Sequence, residues 1–73
     1  MEHPRISRDP DVMVGKPCIK GTRITVELIL RALSRGASVE LIVEEYPQVS
    51  RDDVLAAMAY AADYLRQEGL VAA

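Results

Sequence analysis

Apolar residues recur along this chain in two rhythms. From Val26 onward, Val26, Ile29, Leu30 and Leu33 return every three or four positions, the spacing of one helical face. Thr25 ahead of them is a good N-cap, and Gly36 behind them is the natural residue for a helix stop. Ser38 then opens a shorter helix in which Val39, Ile42 and Val43 line up, closed by Tyr46-Pro47. Ser50 opens a third helix, with Asp53 three residues on in an aspartate variant of the capping box. Asp52 and Asp53 also suit the positive end of that helix's dipole. The pattern carries this helix to about Glu68, with Gly69 as its stop. Before Thr25 the rhythm is that of short extended pieces. Ile6-Ser7-Arg8 and Cys18-Ile19-Lys20 read as two strands of a hairpin with a long loop, which begins at the turn signal Asp9-Pro10-Asp11. Residues 1–5 are polar and expected to be loose.

Three helices of unequal length, with a short Pro47-containing turn between the second and third, predict a mainly α, helix-turn-helix three-helix domain carrying a short N-terminal β-hairpin. The whole chain, 1–73, reads as a single domain, with residues 1–25 forming the hairpin segment and 26–73 the helices. The junction between them is the most unusual stretch. Gly15, Pro17 and Gly21 interrupt it, Lys16, Lys20 and Arg23 charge it, and Thr25 ends it. Gly15, Pro17, Gly21, Thr25, Gly36, Pro47 and Ser50 are therefore expected to be structural residues. Gly21 in particular supplies a positive φ that other residues resist.

The third helix is too apolar for a domain this small to bury. From Val54 to Leu65 its only charged residue is Asp63. Val54, Met58, Ala61 and Leu65 make one face, expected to cover the first two helices. Ala56, Ala57, Tyr60 and Tyr64 make a second, with the tyrosines spaced i, i+4. Leu28 and Leu41 add to the surplus, since each lies off its own helix's apolar stripe. Leu28, Leu41, Ala57, Tyr60 and Tyr64 are accordingly the expected surface for a partner or a second copy.

Composition points the same way. At 73 residues with one cysteine the chain has no internal disulfide to reinforce a small core, which leaves a homodimer or another partner as the remaining support. A lone Cys18 fits a reducing, cytoplasmic setting, and neither a signal peptide nor a membrane span is expected. The net charge of -2 is unevenly spread: residues 1–25 hold five Lys/Arg against three Asp/Glu, and residues 26–73 hold four against eight. Contact with DNA or an acidic partner therefore falls to the N-terminal cations Lys16, Lys20 and Arg23. Arg51 is the single cation at the start of the third helix, where a helix-turn-helix approaches bases.

Catalytic chemistry finds little footing. Gly15-Lys16 and Gly21-Thr22 do not meet the phosphate-loop pattern, and Pro17 interrupts the loop. His3 and Cys18 lack a third orienting group, and no metal-ligand spacing exists. Neither an enzyme nor a cofactor, metal or small-molecule substrate is expected.

The run Gly15-Lys16-Pro17-Cys18-Ile19-Lys20-Gly21-Thr22-Arg23-Ile24-Thr25-Val26, preceded by Ile6-Ser7-Arg8-Asp9-Pro10, closely resembles the signature of the family called domain of unknown function 433. The resemblance continues through Gly36-Ala37-Ser38, Tyr46-Pro47 and Asp53 to Ala61, with Cys18 standing where the family more often has Val. It implies a homeodomain-like trihelical fold without known catalysis. It also implies an antitoxin-like role, as the partner of a PIN-like ribonuclease toxin. Three readings follow: an antitoxin-like binding protein, a helix-turn-helix DNA-binding regulator that represses its own promoter, and a structural homodimer.

Overall fold

Ile6–Ser7 (β1) and Cys18–Ile19 (β2) pair antiparallel, Ile6 opposite Ile19 and Ser7 opposite Cys18. The predicted hairpin is thus present and short. Three helices follow, α1 (Val26–Ser34), α2 (Val39–Glu45) and α3 (Arg51–Gln67). The computed structural model describes residues 3–67, so the expected stop at Gly69 lies outside the described residues.

Local chemistry sets each boundary. The Thr25 hydroxyl accepts from the Leu28 amide at 3.0 Å, and the Ser38 hydroxyl accepts from Leu41 at 3.1 Å. Each satisfies one of the amides that a helix start leaves unpaired. Gly36 follows α1 at φ +98°, where the Gly36 and Ala37 amides donate to the Leu33 and Ala32 carbonyls. That pair of bonds is a Schellman stop, and its left-handed residue is why Gly stands there. Pro47, Gln48 and Val49 fill the α2–α3 turn between Tyr46 and Ser50, and Val49 drops into the core.

That core is aliphatic. Ile29, Ile42, Val49 and Val54 are fully buried, with Ile19, Val26 and Ala57 beside them. Each large side chain so buried contributes about 1.5–3 kcal/mol. Ala57 was expected at a partner surface, yet it is 0% exposed. The reason is packing: α1 and α3 form the most extensive pairing in the domain, and a residue with nothing beyond Cβ lets two helices approach. The inward face of α3 is therefore Asp53, Val54 and Ala57, flanked by Met58 and Tyr60, whereas Leu65, expected to cover the other helices, is exposed.

One further expectation is corrected. The N-terminal segment is not loose from His3 onward. His3 packs edge-on against Tyr60, with ring centroids 5.2 Å apart, and its Nε2 lies 2.9 Å from Asp63 Oδ2, at hydrogen-bond distance but off the hydrogen-bond direction. The one charge in the apolar stretch of α3 thus faces the N-terminal histidine. The long loop of the hairpin turns sharply after Val12. Met13 (φ +49°), Val14 (φ +58°) and Gly15 (φ +80°) make a left-handed turn, closed by Gly15 and Lys16 amides on the Val12 and Met13 carbonyls. Only Gly takes that conformation at no cost, so Val14 is strained as well as 92% exposed.

Candidate functional site

The signature stretch folds into a loop that uses up its own polar groups. Ile19 N–H donates to the Ile24 carbonyl at 2.9 Å, and the Thr22 amide and hydroxyl both reach the Ile19 carbonyl. The same hydroxyl accepts from the Ile24 amide at 3.0 Å, and Gly21 takes φ +80° at the tip. The Pro17 carbonyl accepts from Val26 N–H at 2.9 Å, tying the strand to the first residue of α1. Gly15, Pro17, Gly21, Thr22 and Thr25 are therefore accounted for by backbone geometry. What the loop presents outward is Lys20 and Arg23.

Those two cations line an open cleft of about 880 Å³ that is also lined by Asp9 and the turn Glu45–Gln48. Two separate parts of the sequence, the signature and the Tyr46-Pro47 turn, meet there. Among the described residues neither Lys20 nor Arg23 makes an ion pair. Behind the loop Cys18 is buried and donates to the Lys16 carbonyl at 3.3 Å. Burial pushes its thiol up from the ordinary value and Arg23 pulls it partly back, so it is a poor nucleophile.

The other two expected contact cations are elsewhere. Lys16 lies 3.5 Å from Glu27, and Arg51 lies 3.5 Å from Glu40. Lys16, Lys20, Arg23 and Arg51 thus do not share one cleft. Arg5, another cation of the N-terminal segment, is engaged by Asp53 at 3.0 Å.

A second site is apolar. Leu30 of α1 and Tyr60, Ala61, Tyr64 and Leu65 of α3 line an open groove of about 610 Å³. Tyr60 and Tyr64 stack with centroids 6.2 Å apart, and His3 braces Tyr60 from the N-terminal side. Sequence reasoning found Tyr60 and Tyr64 by their spacing. It missed Leu65, because it set that residue inward. Leu28 and Leu41, both expected at a partner surface, are exposed and line a neighbouring depression of about 740 Å³ on the other side of α1. Between the two runs the ridge Lys16–Glu27–Arg31, with Arg31 Nε 3.3 Å from Glu27. Arg31 foremost, and Lys16 with it, hold the Glu27 carboxyl below its ordinary range.

Among the described residues no three His, Cys, Asp or Glu side chains gather in a way that could hold a metal ion, and no helix is long and apolar enough to cross a membrane.

The fold recurs in a crystal structure at 2.00 Å of a DUF433 member protein from Anabaena variabilis ATCC 29413. The two superpose with a TM-score of 0.80 and are 28% identical, over 86% of this chain and 62% of that one. An uncharacterized protein, y4eO, of Sinorhizobium fredii (strain NBRC 101917 / NGR234) is 30% identical over 56 residues. Those residues are 77% of this chain but 25% of y4eO, so the chain spans about a quarter of that relative's length. The family profile described as "Protein of unknown function (DUF433)" matches residues 6–61, from β1 through most of α3. The hairpin, the signature loop, the three helices and this match over most of the sequence agree: the chain belongs to the DUF433 family.

Proposed function

We propose that the domain is a non-catalytic, antitoxin-like binding protein of the cytoplasm that covers a partner protein, a PIN-like ribonuclease toxin, with the apolar groove between α1 and α3. The observation that carries this reading is the groove itself. Leu30, Tyr60, Ala61, Tyr64 and Leu65 present apolar surface that the described residues leave open. The tyrosines stack on each other and His3 packs edge-on against Tyr60, so little side-chain freedom is lost when a partner arrives. Aromatic side chains in such pockets are where binding energy concentrates.

The test is co-expression with the product of the neighbouring reading frame. A stable complex in which that product's nuclease activity is silenced supports the reading. A chain that purifies alone beside a freely active nuclease contradicts it.

One observation favours a second reading, DNA binding: Lys20 and Arg23 stand together on a cleft without an ion-pair partner among the described residues. The start of α3 argues the other way, since Arg51 faces Glu40 and Asp52 stands beside it. On this reading binding to upstream DNA would weaken steeply with salt and on Lys20→Ala or Arg23→Ala. Unchanged binding by both variants would contradict it.

A further inference from the structure

We infer that the whole α1 side of the domain, and not the α1–α3 groove alone, is a docking face whose occupant is an acidic protein surface; this rests on the partner-binding reading above. The groove beside Leu30 and the depression beside Leu28 and Leu41 share the residues Lys16, Glu27 and Arg31. They are therefore the two flanks of one ridge. On a helical wheel Glu27 and Arg31 point outward, with Leu30 on one side of that line and Leu28 on the other. A partner that straddles the ridge places one apolar element in each depression.

Charge decides what kind of partner that is. The two depressions are bordered by four cations, Arg8, Lys16, Arg31 and Arg35, and two carboxylates, Glu27 and Glu45. This face is thus +2 on a chain whose net charge is -2, which leaves the rest of the molecule at -4. A second copy related by a two-fold axis through the ridge would set two such faces together and gather a charge of +4 in one interface, which disfavours self-pairing. A surface with carboxylates around two apolar protrusions meets the same face with opposite charge over the cations and buries both depressions.

The test uses the full chain and the product of the neighbouring reading frame, with affinity measured by titration calorimetry at several salt concentrations, and sedimentation of the chain alone. A complex that weakens with salt is expected. Arg31→Glu should weaken it about tenfold, mainly through the association rate. Tyr64→Ala and Leu28→Ala, one in each depression, should each weaken it by roughly tenfold or more. Arg66→Glu, the same charge change off this face, should leave the affinity unaltered. If the wild-type complex forms but survives Arg31→Glu and Leu28→Ala unchanged, the face assignment is wrong while the binding reading stands. If no complex forms, the binding reading fails and the face with it. A chain that sediments as a dimer and is dissociated by Tyr64→Ala would give the face to a second copy and overturn the proposal.

Discussion

Arg5 Nη1 lies 3.0 Å from Asp53 Oδ1, joining residues 48 positions apart and fastening the hairpin to the start of α3. The other oxygen of the same carboxylate accepts from the Ser50 amide at 2.9 Å, while the Ser50 hydroxyl accepts from the Asp53 amide at 3.1 Å. Asp53 is thus a helix cap and a tertiary anchor at once, and only 9% of it is exposed. Asp53→Ala removes the reciprocal cap and leaves Arg5 only Asp52, 3.8 Å away, a cost of roughly 2 kcal/mol. Arg5→Ala should cost under about 1 kcal/mol, because half of that side chain is in solvent. Urea unfolding of the two variants measures the difference.

The same carboxylate predicts an acid limb. Burial by itself raises the Asp53 pKa, but the Ser50 amide, the Arg5 guanidinium and the Ser50 hydroxyl outweigh it and hold the carboxyl below its ordinary value of 3.8. A carboxyl depressed in the folded state binds fewer protons there than in the unfolded chain. Its stabilisation is complete at neutral pH and is lost as the pH falls below about 4 and through the folded value. Asp53→Asn should therefore be less stable than wild type at pH 7, with the gap closing as the pH falls toward 3. Thermal unfolding across that range reads it directly.

The signature loop should separate into residues that shape it and residues it displays. A Cβ at Gly21 meets nothing within 4 Å, so Gly21→Ala pays only for its left-handed φ, about 1 kcal/mol. Lys20→Ala and Arg23→Ala should leave stability within about 0.5 kcal/mol of wild type. Val14→Asn should stabilise the domain by about 0.5–1 kcal/mol, because asparagine tolerates the φ of +58° that valine resists and little packing is lost at so exposed a position. Chemical denaturation of the four variants checks all of these.

Ala57 tests the corrected face of α3. Ala57→Leu adds volume to the fully buried core and should cost about 1–3 kcal/mol. The same addition at Ala59, on the exposed side of α3, should be near neutral.

These corrections mark where the sequence was legible. Thr25, Ser38, Ser50 and Gly36 announce helix boundaries because capping is decided within three or four residues of chain. The tight loop of Gly21 and Thr22 is equally local. The facing of α3 is not local. Alanines at 56, 57, 59, 61 and 62 give almost no contrast around the helix, so only the approach of α1 identifies Ala57 as the buried one. The pairs Arg5–Asp53 and His3–Asp63 bring together residues from opposite ends of the sequence, and nothing near either member signals its partner. Tyr60 and Tyr64 were visible through their i, i+4 spacing, whereas the groove they line with Leu30 exists only once α1 packs on α3.

The central claim is that this groove captures a partner. Tyr64 is 42% exposed, so Tyr64→Ala should leave the unfolding midpoint nearly unchanged. The direct measurement is inhibition of the neighbouring gene product's nuclease by this folded variant beside the wild-type chain. The groove predicts silencing by wild type and at least about a tenfold loss of inhibitory potency on Tyr64→Ala. Equal inhibition by both chains would contradict it.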